Sequence, residues 1–507
     1  MYINYKIYFI FILVIFFGLF FNKNKILCKI VLFMLIFNYF TYKLTVKFLY
    51  SGLHTMQNLY KIPKNTEVVI FGSSHSGASY SPGLIYKKFG IKSIIFEPSH
   101  CDLDVIEILF KEILKNKSEK KIFLIEAYSI DMSFKESHKR MIPLISQVAL
   151  YMQLSSNKYS LANKINTNEF TQLNTFFPIT KYHGNYKNAK YYSNVFNEQQ
   201  NGFAIHQYTT VMSEINYKHI LNRKTKFPDD NDILYIEKKI KKLKEIAEEN
   251  KVKIVFYRAP IPFEMEDKEY IKKNVLYTNL LSKYGISYLD FNMLKEELKI
   301  DRNWFENTTY ENIHTSEQGK YEISRFLGNY MCKLNICNIY EPKNESYIND
   351  YNILEKNIKI IELKAIKEYF SYISLLRKMP NITIIVSGSF EIGANMAEYN
   401  KILEILGLNI DIKSDLKTFF ISAVESSGKK YFEKLSNSWI NHRLYFGDNH
   451  IFDISSYINE YSIKFDGKEY SKNKEGLNFV IYDNQSNRII DNVTINLKEN
   501  PNFMITR

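Results

Sequence analysis

Five short apolar runs, separated by turn-like or helical segments, are the feature that most limits how residues 65–338 can fold. The runs are TEVVIF, KSIIF, KKIFLIEAYS, VKIVFYRAP and GISYLDF. Short apolar runs of this kind are typical of strands that are buried on both faces of a parallel sheet. Segments 102–115 and 232–249 between them carry apolar residues at helical spacing. We therefore expect an α/β domain, with a parallel sheet and helices on both faces.

The N-terminus is apolar enough to predict a membrane anchor. Residues 7–21 carry no charge and residues 26–42 carry a single lysine. Each run is close to the minimum of about 17 residues for a spanning helix. No cleavage site with small residues follows, so we do not expect a removed signal peptide. We predict a two-helix hairpin at 1–45 and a connector at 46–64. One spanning helix with a second, interfacial segment is the alternative.

The lysines around these runs predict the orientation of the chain. The turn and the start of the second run hold Lys23, Lys25 and Lys29, about one lysine more than the exit of the second run, which holds Lys43 and Lys47. A cytoplasmic turn would place both termini outside the cytoplasmic membrane. Cys332 and Cys337 could pair if this part of the chain lies outside the cytosol. The cysteines show no metal-binding spacing, and we expect neither a metal nor another cofactor.

The formal net charge of +13 does not by itself predict a nucleic-acid partner. Many of the lysines follow one another along the helical segment 232–249, and no Arg-rich or Gly-flanked basic motif accompanies them. We interpret them as solvated helix faces and expect no nucleic-acid binding. Attraction to anionic lipid or to an anionic glycan is the alternative.

A change of composition marks a second domain. Residues 339–358 are polar and are interpreted as a linker. Beyond them, helical segments near 361–378 and 395–406 alternate with the apolar runs TIIVSG, FFISAVES, YSIKFDG and GLNFVIYD. This mixture predicts a smaller α+β domain at 359–507.

The turn GSSHSG, which follows the first apolar run, is the first candidate for chemistry. It places Ser74 at the carboxyl edge of the expected sheet, where ligands and nucleophiles of α/β proteins lie. His314 follows a loop and precedes an apolar helical segment, so it can reach the same edge. Glu311 could orient the imidazole, which would complete the nucleophile, base and orienter of acyl transfer. The alternative is that Ser73 and Ser74 only cap a helix, that His75 is a structural or rim residue, and that His314 is a capping or surface residue.

Both ends of this domain resemble SGNH/GDSL hydrolases. The segment IFGSSHS at 70–76 resembles the first block of that family, and LDF through SRFL at 289–327 resembles its last block, Asp-x-x-His followed by Gly. The resemblance covers about residues 65–335 and is closest to a membrane-linked bacterial branch with GSSH in place of GDSL. It implies an SGNH-like, flavodoxin-type sheet. It also implies that Ser74 is the nucleophile, His314 the base, and Glu311 the residue in the usual Asp position.

The middle blocks of that family are not recognisable in this chain. FEPSHCD and IEAYSID stand in their place. An oxyanion hole would then use the Ser74 amide and a donor near Ser99 or Tyr128. Arg258 ends a strand at the same edge, where it could bind an anionic substrate or form an ion pair.

The C-terminal region also resembles a known domain. The strand pair YSIKFDG and GLNFVIYD, within 461–493, resembles the interleukin-like EMT inducer (PANDER-like) domain. Domains of that family are associated with secreted signalling proteins and with sugar-binding stems. The resemblance therefore implies carbohydrate binding as a function of this module.

Two functions from different classes follow from these features. The first is a membrane-anchored esterase or O-acyltransferase that modifies a cell-surface glycan through Ser74 and His314. Its implied partners are the glycan, membrane lipid and a multispanning membrane acyltransferase that supplies the acyl group. The second is a catalytically degenerate SGNH scaffold that binds glycan or assists envelope assembly, which the missing middle blocks favour.

Overall fold

The computed structural model describes part of the chain, and the predicted membrane anchor at 1–45 and most of the connector at 46–64 lie outside the described residues. No helix within the described ranges is long and apolar enough to cross a membrane. The described residues are 59–60, 62–63, 65–98, 101–115, 120–134, 148–149, 152, 155–165, 227–262, 265–305, 314–338, 344–390, 396–408, 418–446, 450–458, 460–472, 474–496 and 505–507.

The chain divides into two compact units, Met1–Leu354 and Glu355–Arg507. The first contains a five-stranded sheet in the order β2-β1-β3-β4-β5, and every neighbouring pair is parallel. This is the strand order of flavodoxin-type doubly wound sheets. The α/β domain with a parallel sheet is therefore confirmed. Its strands are β1 (Val68–Phe71), β2 (Ser93–Phe96), β3 (Ile122–Glu126), β4 (Lys253–Arg258) and β5 (Ser287–Asp290).

Helices cover both faces of this sheet. Val69 and Phe71 of β1 pack with helices α3 and α6 on one face, whereas Val68 and Ile70 pack with α2 and α9 on the other. Alternate side chains of a strand point to opposite faces, so a strand that is apolar throughout needs both layers. The helices of this unit are α1 (Ser74–Ser79), α2 (Pro82–Phe89), α3 (Leu103–Leu114), α4 (Tyr128–Met132), α5 (Ser156–Ile165), α6 (Asp230–Glu249), α7 (Lys268–Lys283), α8 (Lys295–Leu298) and α9 (Glu317–Lys333).

The strand order fixes where a site can form. The chain leaves β1 toward β2 on one side and returns to β3 on the other, so the order reverses beside β1. The crevice outside the carboxyl ends of the strands at such a reversal is the usual ligand site of open α/β sheets. Residues 72–79 after β1 and 127–132 after β3 border this crevice.

A disulfide closes the C-terminal end of α9. Cys332 and Cys337, which the sequence suggested as a pair, are joined with their Cα atoms 4.8 Å apart. That separation is within the normal range for disulfides. The remaining described cysteine, Cys101, is buried.

The segment 339–358, interpreted from sequence as a linker, is largely helical. Helix α10 (Glu345–Ala365) covers most of it and continues past the boundary between the two units. Tyr347 and Leu354 of this segment are buried, although most of the residues next to them in the sequence are polar. Because the segment is polar on average, its composition did not indicate a helix. A few apolar residues on one face are sufficient to pack a helix against a core.

The second unit is an α+β domain, as predicted. Its two antiparallel sheets have the orders β15-β14-β13-β6-β7-β8 and β12-β11-β10-β9. One face of the larger sheet packs on helices and the other packs on the smaller sheet. Its elements are α11 (Tyr369–Lys378), β6 (Ile382–Phe390), α12 (Met396–Ile405), β7 (Thr418–Glu425), β8 (Lys430–Ser436), β9 (Ile440–Phe446), β10 (His450–Tyr457), β11 (Glu460–Phe465), β12 (Lys468–Glu469), β13 (Leu477–Asp483), β14 (Arg488–Ile495) and β15 (Ile505–Thr506).

A buried ion pair joins α10 to the end of β13 in this unit. Lys356 and Asp483 each have a side chain that is only 5% exposed, and the Lys356 ammonium donates to the Asp483 carboxylate. Asp483 also accepts from the Gln485 amide and the Ser486 hydroxyl. Burial opposes ionisation of Asp483, but these bonds and the lysine charge outweigh it and hold its pKa below its usual value.

Replacing Lys356 by Met should destabilise the second unit by about 3–5 kcal/mol, because Asp483 would remain charged and buried without its partner. The double variant Lys356→Met, Asp483→Asn should recover much of that loss. The measurement is urea unfolding followed by circular dichroism. A double variant that is as unstable as the single one would contradict this account of the pair.

Candidate active site

Ser74 is the first residue of α1, directly beyond β1 and the two residues Gly72 and Ser73. Ser73 is the N-cap of this helix, and its hydroxyl accepts from the His75 amide at 3.3 Å. Ser73 is therefore the helix-capping serine of the turn. The Ser74 side chain does not cap this helix and instead contacts His314. Strand and turn together place that side chain at the carboxyl edge of the sheet.

His314 meets Ser74 at hydrogen-bond distance. Its Nε2 lies 2.8 Å from the Ser74 Oγ, across 240 residues of sequence. Both side chains are partly exposed, so a substrate can approach the pair from solvent. The structure thus brings together the two residues that the sequence proposed as nucleophile and base. This spacing is the one that a serine and its general base require.

Residues next to His314 fix its backbone against α1. The Thr315 hydroxyl donates to the Ala78 carbonyl at 2.6 Å. The Ser316 amide donates to the Trp304 carbonyl at 2.8 Å, and the Ser316 side chain caps α9. Gly319 is required by the same contact, since a Cβ there would lie 2.4 Å from the Trp304 oxygen. Thr315 and Ser316 therefore hold the backbone that follows His314 in place.

The His75 ring contacts the imidazole of His314, and the Tyr128 ring contacts His75 in turn. The His75 ring lies 5.0 Å from it in a T-shaped arrangement, measured between ring centroids. Tyr128, at the start of α4, has its ring centroid 4.6 Å from that of His75, with the two rings tilted by 46°. Tyr128 is thus the one of the two oxyanion candidates that the structure locates, at the same edge as Ser74.

Two buried glutamates lie under the GSSHSG turn. Glu97 follows β2 and Glu126 ends β3, on either side of β1. A Cβ on Gly72 would meet the Glu126 Cβ at 2.8 Å, and a Cβ on Gly77 would meet the Glu97 carboxylate at 1.5 Å. The glycines of the turn therefore leave room for the two carboxyl groups. Sequence analysis missed both glutamates, although each is a polar residue at the end of a buried strand.

Glu126 is mostly protonated at neutral pH. It is 1% exposed, and burial raises its pKa to about 8 against the opposing attraction of the Arg258 charge. Its carboxyl oxygen accepts from the Tyr128 amide at 3.0 Å. The carboxyl group therefore links the end of β3 to Tyr128, the residue whose ring contacts His75.

Arg258 forms an ion pair, which is one of the two alternatives that the sequence left open. Its guanidinium is 4% exposed and donates to Asp131 at 2.9 Å and to Asn274 at 3.0 Å. Burial disfavours the charge of Asp131, but Arg258 and Lys273 outweigh it and hold the pKa of Asp131 below its usual value. The Arg258 guanidinium is therefore engaged by protein side chains.

Two sequence-predicted site residues, Glu311 and Ser99, lie outside the described residues. The residue that orients the second nitrogen of His314 is thus not assigned by the structure. Among the residues that are described, no group of three or more His, Cys, Asp or Glu side chains could hold a metal ion. The described side chains around Ser74 present a hydroxyl, imidazoles, a phenol and carboxyl groups.

Glu126→Gln should remove one source of pH dependence from the stability of the first unit. The folded protein keeps the Glu126 proton up to about pH 8, whereas the unfolded chain loses it near the ordinary value of 4.5. Between these values the folded state binds more protons. The free energy of unfolding of the wild type therefore falls as the pH rises, by at most about 1.4 kcal/mol per pH unit from this group.

The stability of the Gln variant relative to wild type should accordingly increase from pH 5 to pH 8 and then level off. Urea unfolding at a series of pH values measures this difference. The exposed Glu297→Gln provides a matched control whose difference from wild type should not change in this way. Parallel curves for wild type and Glu126→Gln would show that burial does not hold the proton on Glu126.

The chain matches no family model and no curated protein. The geometry of Ser74, His314 and their neighbours is therefore the basis on which a function is argued.

Proposed function

We propose that this chain is an SGNH-type serine esterase or O-acyltransferase that acts on a cell-surface glycan. The observation that carries the proposal is the 2.8 Å separation of Ser74 Oγ and His314 Nε2 at the carboxyl edge of a parallel sheet. Serine and histidine at this distance, both open to solvent, are the central pair of acyl-transfer sites on unrelated folds.

The reaction follows from the roles of these two groups. The Ser74 hydroxyl donates to His314 Nε2, gives up its proton as the oxygen attacks the acyl carbonyl, and forms a tetrahedral intermediate. The leaving alcohol takes that proton from His314 as its bond to the acyl carbon breaks. Water or a sugar hydroxyl then attacks the Ser74 ester, with His314 accepting the new proton and returning it to Ser74. Water gives hydrolysis, and a sugar hydroxyl gives O-acylation.

The negative charge of the tetrahedral intermediate needs hydrogen-bond donors. We assign the first to the backbone amide of Ser74, at the N-terminus of α1. The second donor is assigned to the neighbourhood of Ser99 and Tyr128, after β2 and β3. Glu311 is assigned as the residue that orients His314. The buried ion pair of Arg258 with Asp131 removes Arg258 from the substrate-binding residues of this proposal.

The setting of the proposed reaction is the outer side of the cytoplasmic membrane. Its support is the apolar N-terminus, the lysines of its turn and the Cys332–Cys337 disulfide, a bond that persists in oxidising compartments. An acyl donor outside the cytosol calls for a multispanning membrane acyltransferase that delivers the acyl group. Lipid and glycan are the other proposed partners, and no role in nucleic-acid binding is proposed.

A second candidate function, non-enzymatic glycan binding or envelope assembly, is favoured by an exposed surface of the C-terminal unit. Trp439 and Tyr457 stack nearly parallel, with ring centroids 5.4 Å apart and an interplanar angle of 17°. Trp439 is 60% exposed, and Tyr445 on the same strand pair is 66% exposed. Exposed aromatic groups of this size mark interaction sites, and a flat ring pair fits the apolar face of a sugar.

A fluorophosphonate probe should label Ser74 of the full-length chain in mild detergent. Ser74→Ala should abolish the adduct, and His314→Gln should slow its formation by about 100-fold or more, the usual contribution of a general base. Peptide mapping by mass spectrometry identifies the labelled residue. The exposed Ser282→Ala is the matched control and should label like wild type.

A folded wild-type chain that takes up no label would argue against an activated serine. That outcome would leave the glycan-binding scaffold as the better account of the chain.

The glycan-binding function predicts that Trp439→Ala weakens binding to an array of surface-type glycans by about tenfold, as for a central aromatic anchor. Leu435→Ala removes exposed apolar area from the neighbouring strand β8 without removing a ring, and should change binding little. Equal losses in both variants would point to non-specific adhesion. No binding by the wild type would remove this function from consideration.

A further inference from the structure

We infer that His75 is a positioning residue for His314, whose imidazole it holds in the orientation that reaches Ser74. The catalytic consequence rests on the proposed function, whereas the contact between the two rings does not. The geometry that points to this role is the row of three rings, Tyr128, His75 and His314, in contact along the edge of the site.

The bonds that hold the backbone after His314 do not by themselves orient the imidazole. Thr315 ties the backbone next to His314 to Ala78, but the ring still turns about its own side-chain bonds. The second side-chain torsion of histidine is broad, so a fixed backbone leaves several ring orientations accessible. A ring packed against the imidazole restricts these orientations, in addition to the hydrogen bonds that its two nitrogens make. The T-shaped contact with His75 supplies such a ring.

His75 is itself well fixed. Its amide donates to Ser73 at 3.3 Å, and its carbonyl accepts from the Ser79 hydroxyl at 2.6 Å. His75 is 8% exposed, and its ring also contacts the ring of Tyr128. Tyr128 in turn is held through its amide by the buried carboxyl group of Glu126. The contacts therefore run from Glu126, at the end of β3, through Tyr128 and His75 to His314.

The role we assign to His75 is ring-to-ring contact with His314, and not proton transfer. A ring pair of this kind adds enough stability beyond its buried area to change a population by about two- to tenfold. Phenylalanine would keep the ring contact and lose both nitrogens, whereas alanine would lose the contact. The two replacements therefore separate positioning from acid–base chemistry.

The first test compares the rate of fluorophosphonate labelling at Ser74 in full-length His75→Ala and His75→Phe. We expect His75→Ala to lower the rate by about two- to tenfold with the same temperature of unfolding, and His75→Phe to restore most of it. His442→Ala is the matched control, because His442 also packs on an aromatic ring, Phe432, but in the other unit. A wild-type rate in His75→Ala, or equal losses in both variants, would overturn the inference.

The second test needs no reaction. The chain contains ten histidines, and labelling their rings with ¹³C gives NMR signals of which His314 is the one lost in His314→Gln. We expect His75→Ala to move the His314 signal, His75→Phe to return it toward its original position, and His442→Ala to leave it unchanged. An unmoved His314 signal in His75→Ala would overturn the inference. If the signals behave as expected while the wild type takes up no label, the positioning role stands and the proposed reaction fails.

Discussion

The attachment of the N-terminus of α9 to α1 is the interaction on which the candidate site depends. Without it, Ser74 and His314 would be two residues 240 positions apart with no reason to meet. The Thr315 hydroxyl bonds the Ala78 carbonyl, and further along α9 the Ser324 hydroxyl accepts from the amide of Ser81, the N-cap of α2. Both bonds are buried, so breaking either one leaves an unsatisfied polar group at a cost of about 1–3 kcal/mol. The geometry of the Ser74–His314 pair is thus tied to the stability of the domain.

Several buried polar groups lie at the carboxyl edge of the sheet, close to Ser74. Glu97 and Glu126 flank the turn that carries Ser74, and the glycines of the turn make room for them. Arg258 and Asp131 add a buried ion pair beside the same strands. Perturbed titratable groups cluster at functional sites, because such groups cost stability that only a function would offset. This concentration of buried titratable groups at one edge supports the proposal of a reacting site there over that of an inert scaffold.

The two units use burial differently. The parallel sheet of the first unit is covered on both faces by helices, which leaves its carboxyl edge as the place for chemistry. The second unit buries one sheet against another and leaves the outer face of the β9–β10 pair to solvent, with Trp439, Tyr445 and Tyr457 on or next to it. Acyl transfer and glycan binding are therefore proposals about different surfaces, and each can be tested without the other.

The sequence by itself determined the strands of the first unit, its α/β class, the α+β class of the second, and Ser74 and His314 as candidates. These depend on local patterns: apolar runs, helical periodicity, and polar residues that directly follow a strand or precede a helix. Only the tertiary structure decided that His75 contacts His314, that Arg258 pairs with Asp131, and that α10 crosses the segment interpreted as a linker. Such contacts join residues far apart in the chain, and their burial and partners are set by packing, which no local pattern records.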